Sequence, residues 1–130
     1  MRKAFVIAAV ASVGFAATAR AELPSDLFST QTKTATSSAP VSDTVLWTPA
    51  SGKRIILQGV IVCAQAAADN VQLESSDVDV IPPFGVESYG CKTFTAGGAA
   101  LWMGDPDESL TYSVQTGVRF SITAWGYEIQ

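Results

Sequence analysis

The sequence predicts an all-β protein: a single β-sandwich of about eight antiparallel strands behind an extended N-terminal arm. Three observations carry this. From Val45 onward, short extended runs are broken at Ser51-Gly52, Asp69-Asn70, Pro82-Pro83, Gly97-Gly98, Asp105-Pro106 and Thr116-Gly117, the punctuation of a sandwich or barrel. No segment beyond residue 21 holds a helical apolar period for three turns. Residues 22–130 suit one domain with one core, burying roughly two-thirds of its unfolded surface.

Taken in order, residues 1–21 read as a secretory signal peptide. Arg2 and Lys3 form the positive end, residues 4–17 are a short apolar run, and Ala19-Arg20-Ala21 is a small-x-small cleavage site. The apolar run is shorter than the roughly 20 residues that span a bilayer, so no membrane insertion is expected after cleavage. The product is expected outside the cytoplasm: extracellular, on the cell surface or in the periplasm.

Residues 22–43 form a polar arm. Seven of the ten residues from Ser29 to Ser38 are Ser or Thr, as in a flexible leader. Thr30, Thr32, Thr34 and Thr36 nevertheless recur at period two, so an extended chain sets four β-branched residues on one face. Such an arm has two edges to join, that of its own sheet or a neighbour's.

Within the domain, residues 44–130, strands are expected at 44–48, 54–64, 70–75, 77–81, 88–95, 99–103, 109–115 and 119–128. The Ala-rich run at 64–69 suggests one helical turn, stopped by Asp69-Asn70. In residues 109–115, Leu110, Tyr112 and Val114 share an inward face; after Thr116-Gly117, Phe120, Ile122 and Ala124 point inward. If that parity persists, Trp125 and Tyr127 lie outward, whereas a bulge at Gly126 flips them. Residues 54–64 are apolar on both parities: Ile55, Leu57, Gly59, Ile61 and Cys63 on one, Ile56, Val60 and Val62 on the other. Such a strand calls for cover on both faces, from its own chain or from another subunit.

Charge and cysteine content exclude several functions. Removing the leader leaves five cations, Lys33, Lys53, Arg54, Lys92 and Arg119, against twelve acids. This scatter has no basic stripe for a phosphate backbone, which argues against nucleic acid as a partner. Cys63 and Cys91 form one disulfide in an oxidising compartment, clipping the middle of the sandwich; the alternative is two buried thiols. With no histidine, a zinc site and both the Ser-His-Asp and Cys-His arrangements drop out, and no cofactor is implied.

The order of features from Thr44 to Glu128 resembles small β-sandwich modules of phage virion accessory and fibre proteins. The likeness lies in "PASGKRI" (49–55), "LQGVIV" (57–62), "VQLES" (71–75), "ESLTYSV" (108–114) and "ITAWGYE" (122–128). It implies a jelly-roll-like fold and an assembly role, with no catalytic residue to carry over. The signal peptide and the cysteine pair depart from a virion protein assembled in the cytosol.

The remaining chemistry divides three ways. Asp105, Asp107 and Glu108, with Asp77 and Asp79, offer oxygen ligands for calcium or an acid–base pair, but "GDPDE" (104–108) reads first as a turn. Trp102, Trp125 and Tyr127 suggest a carbohydrate- or ligand-binding surface. Absent catalytic groups, a threonine-rich arm and a two-faced strand favour a non-catalytic structural protein that self-associates. In that expectation Thr30, Thr32, Thr34 and Thr36 belong to an arm that adds as a strand to a neighbour. A glycan-binding module is the alternative.

Overall fold

The computed structural model describes residues 29–130; the signal-peptide reading and residues 22–28 lie outside the described residues. Among the described residues nine strands and no helix follow one another: β1 Gln31–Ser37, β2 Val41–Trp47, β3 Arg54–Ala64, β4 Ala68–Ser75, β5 Val78–Val86, β6 Cys91–Thr95, β7 Trp102–Met103, β8 Leu110–Val114 and β9 Phe120–Ile129. They build two antiparallel sheets. Sheet I has the order β1-β9-β3-β6, with the short β7 also on β3; sheet II has the order β2-β8-β4-β5.

The inner faces close on one core. Sheet I contributes Ile55, Leu57, Val60, Val62, Phe120, Ile122 and Ala124, and sheet II contributes Trp47, Val71, Leu73, Leu110, Tyr112 and Val114. Tyr112 and Phe120 meet edge-on across the layers at 6.0 Å, and Phe84 and Phe94 seal one side with centroids 4.6 Å apart. Each fully buried aliphatic here is worth about 1.5–3 kcal/mol over its exposed state.

The two-faced run in residues 54–64 has a local explanation. In the β3–β9 ladder, Leu57 pairs with Gly126 and Gly59 with Trp125, which leaves Gln58 as an extra residue on β3. This bulge changes the phase of the strand. Ile55 and Leu57 before it, and Val60, Val62 and Ala64 after it, all join the core; Ile56, Gly59, Ile61 and Cys63 face outward. The bulge is therefore on β3 and not at Gly126. Phe120, Ile122, Ala124, Gly126 and Glu128 keep one buried parity, while Trp125 and Tyr127 stay outward and half-buried.

Other expectations change for related reasons. Pro82-Pro83 does not end a strand: it lies inside β5, an edge strand, where a register shift absorbs it and no inward N–H is required. Asp69-Asn70 likewise sits inside β4, as a register shift with Asn70 at φ 51°. Residues 65–67 make a bend in place of the expected helical turn. The expected strand 99–103 contracts to β7, because Ala96 and Ala99 close a tight turn on Gly97 and Gly98, both at positive φ. Gln31–Ser37, within the polar stretch, forms the outer strand of sheet I through seven consecutive pairs with β9.

Cys63 and Cys91 are disulfide-bonded, with Cα atoms 4.1 Å apart. The bond joins directly opposed residues of β3 and β6 on the outer face of sheet I, so it staples neighbouring strands of one sheet and does not clip the two layers. Loop entropy for a separation of 28 residues makes it worth about 3–4 kcal/mol.

Two glycines flank the bulge with different constraints. A Cβ at Gly59 would overlap the benzo ring of Trp125, which lies across that backbone, whereas a Cβ at Gly126 would overlap the Ile56 carbonyl oxygen. A ring can swing away; a central-strand carbonyl cannot. Gly59→Ala is expected to cost about 1–2 kcal/mol and to shift Trp fluorescence, and Gly126→Ala more than about 3 kcal/mol, read by urea unfolding.

Candidate functional site

The residues singled out in the sequence do not converge on one surface. Trp102 lies opposite Leu57 on the inward side of sheet I, packs against the core and rests on Gly104. Trp125 lies on the outer face over Gly59, with Thr32 opposite it on β1. Tyr127 is one step further along that face. Thr30, Thr32, Thr34 and Thr36 are all exposed, and the Thr34 and Thr123 hydroxyls are hydrogen-bonded at 3.0 Å.

The carboxylates of "GDPDE" are turn-formers. The Asp105 N–H donates to Glu108 Oε2 at 2.6 Å, the Gly52 N–H donates to Asp107 Oδ1 at 2.6 Å, and the Glu108 N–H closes the turn on the Asp105 carbonyl at 3.1 Å. The bond from the Asp105 N–H holds the Glu108 carboxyl below its ordinary value against a smaller upward push from burial, with the Ser75 and Ser76 hydroxyls adding to the lowering. Among the described residues no group of three or more Cys, Asp or Glu is arranged to hold a metal ion.

The buried acid that the sequence reading missed is Glu128, only 7% exposed. Its place is legible in the inward parity that runs from Phe120 through Ala124. Trp47 Nε1–H donates to its Oε1 at 2.8 Å and the Ala50 N–H to its Oε2 at 3.0 Å, while Lys33 Nζ stands 5.7 Å above the Trp47 ring. The carboxylate thus ties the Pro49–Gly52 turn to the end of β9. This is a structural role.

A second constellation forms where four strands of sheet I end together. Thr36 pairs with Ser121, Ser121 with Cys63, and Cys63 with Cys91, one row of cross-strand neighbours on the outer face. Two residues further along each chain, or two before, stand Ser38, Arg119, Gln65 and Tyr89. Backbone bonds beyond the strand ends fix this second row: the Gln65 N–H donates to the Arg119 carbonyl at 2.9 Å and the Ala64 N–H to the Gly90 carbonyl at 3.0 Å. Between the rows lies an open groove of about 460 Å³, continuous at Thr36 and Arg119 with a smaller one of about 210 Å³ against Ser37 and Ser38.

Two features set this groove apart. Arg119 is exposed, and its guanidinium makes no hydrogen bond or ion pair among the described residues. Tyr89 is 87% exposed and holds φ at 55°. Of the other five non-glycine residues at positive φ among the described residues, four are Asp or Asn, which tolerate that conformation, and the fifth is the small Ser76; a tyrosine there costs about 1–3 kcal/mol. No sequence motif announces either residue, because the row that unites them exists only after β1, β9, β3 and β6 are aligned.

Glu128 makes a pH-dependent contribution. Burial pushes its carboxyl upward, but the hydrogen bonds from Ala50 and Trp47, aided by Lys53 and Lys33, outweigh burial and hold it below the ordinary 4.5. With the folded value below the unfolded one, the contribution is complete above the unfolded value and is lost as pH falls through the folded one. Glu128→Gln keeps the shape but sets an amide donor against the Ala50 N–H, so it is expected to cost about 1–3 kcal/mol at neutral pH. It should also flatten the fall in urea midpoint that the wild type shows between about pH 6 and about pH 3.

Comparison with protein-family models returns no match for this chain, and comparison with curated proteins returns none either.

Proposed function

We propose that this is an exported, non-catalytic β-sandwich that acts by protein association, first with copies of itself, as a surface or filament-type structural subunit. The observation that carries the reading is the condition of the four sheet edges. β5 is guarded by Pro82 and Pro83, β2 is broken by register shifts around Asp43, and β6 is five residues long and carries Lys92. Of these devices β1 carries one lysine, Lys33, and neither a proline nor a register shift. It is seven residues long and bonded to β9 on one side, and among the described residues no strand pairs its other row of backbone groups, which suits strand addition.

A two-fold register centred on Thr34 would set that residue opposite its own copy and Lys33 opposite Ala35. The two lysines would then avoid each other while threonines pair along the seam. Supporting evidence comes also from the sheet orders β1-β9-β3-β6 and β2-β8-β4-β5, which fit a jelly-roll wiring, an architecture used in capsid and lectin domains. The Cys63–Cys91 bond is compatible with an oxidising exported compartment, and no helix among the described residues is long and apolar enough to cross a membrane. The second reading, a carbohydrate-binding module, draws on the Trp125 ring lying across Gly59 amid threonine hydroxyls.

Native mass measured across concentration is expected to rise from monomer to dimer. Thr32→Glu/Thr34→Glu places like charges along the exposed seam, so it should hold the protein monomeric with an unchanged melting transition. A wild type that stays monomeric at every concentration would sink the proposal.

A further inference from the structure

We propose that the groove over the Cys63–Cys91 disulfide binds an acidic saccharide, with its anionic group on the Arg119 guanidinium and a sugar ring against Tyr89. The inference does not depend on self-association, and it uses neither Trp125 nor Tyr127.

The chemistry follows from the two rows. The floor offers the Thr36 and Ser121 hydroxyls beside the disulfide, and the rim offers the Ser38 hydroxyl and the Gln65 amide. These are donors and acceptors at short spacing, suited to a molecule that presents several hydroxyls. The groove has the volume of a small-ligand site and is open to solvent, as a saccharide site requires. Arg119 is the one charged residue lining it among the described residues, a planar donor that matches a carboxylate or a sulfate ester bidentately. Tyr89 supplies the apolar face on which the C–H groups of a sugar ring stack.

Two alternatives fit less well. A peptide that recognised this place by strand addition would need free backbone groups, but the floor belongs to strands already laddered together. A nucleic acid would need several cations to neutralise its phosphates.

The conformation of Tyr89 is the second, independent support. The Glu87–Gly90 turn closes through the Gly90 N–H on the Glu87 carbonyl at 3.0 Å, a geometry that asparagine or glycine at position 89 would complete with less strain. An exposed ring makes no packing contribution that offsets the strained backbone. A ring held out at the rim of a groove is explained by what it touches when the groove is filled.

The test uses the folded protein and three probes: a glucuronate-bearing disaccharide, an O-sulfated disaccharide and a neutral disaccharide of the same linkage, with inorganic sulfate as a fourth arm. Amide shifts of Thr36, Gln65, Gly90 and Ser121 in NMR spectra report the site. The acidic sugars are expected to move these four amides at concentrations where the neutral sugar and inorganic sulfate do not; which of the two binds tighter distinguishes carboxylate from sulfate. Arg119→Gln should weaken acidic-sugar binding by about tenfold or more and erase the preference over the neutral sugar. Tyr89→Asn should weaken it by a similar factor while raising the melting temperature, a pairing that a merely structural tyrosine would not produce. The proposal is overturned if none of the probes moves these amides, if the neutral sugar or sulfate alone binds as tightly as the acidic sugars, or if Tyr89→Asn binds as the wild type does.

Discussion

The ladder between β3 and β9, interrupted once at Gln58, is the constraint on which the rest of the structure depends. Ten pairs join the two strands, from Arg54 with Ile129 to Ala64 with Phe120. Without the extra residue, the inward parity of Ile55 and Leu57 would continue through Gly59, Ile61 and Cys63, and Val60 and Val62 would face water. One inserted residue exchanges these sets. It fills the core with the two valines, leaves Gly59 as a shelf for the Trp125 ring, and turns Cys63 outward, where Cys91 meets it on the neighbouring strand.

Both ends of that ladder are anchored, by opposite means. At the Arg54 end, Glu128 continues the inward parity of β9 into a place where a lone carboxylate would be expensive to bury. Two N–H donors, one from the Trp47 indole and one from the backbone of Ala50, make the site tolerable and fasten the turn from which β3 departs. At the other end the disulfide joins β3 to β6 and needs no polar partner. The stretch from Trp47 to Cys63 therefore spans from one anchor to the other, and it reaches the groove only at Cys63.

What the sequence made legible follows from the range of its signals. Alternation is local, so "SLTYSVQ" and "RFSIT" predict β8 and the start of β9 and their inward residues, and residues 54–64 predict β3 with its ends in place. Bulges defeat the same reasoning. Asp69-Asn70 and Pro82-Pro83 carry turn chemistry, yet opposed strands absorb them, and whether a local kink ends a strand is decided by a partner distant in the chain. Glu128 was readable by parity alone, although its acidic side chain argues for solvent. The groove was not readable at all: Thr36, Cys63, Cys91 and Ser121 lie on four strands whose order no local pattern encodes.

That order also explains why the two surfaces lie so close together. β1 places Thr36 in the floor of the groove and is itself the outer strand of the sheet among the described residues. Its seven residues contribute little to the core beyond Ala35, which packs against it from the edge. A strand with so small a share in burial is held mainly by its ladder to β9, which runs through seven pairs without a bulge. Stability is achieved elsewhere, in β3, β8 and β9, where local preference and burial agree. Tyr89 departs from that agreement, with a bulky side chain on a backbone suited to asparagine. Sequences with a consistent fold break local rules chiefly where something other than folding is served, and here the break stands at the rim of the groove that Arg119 also lines.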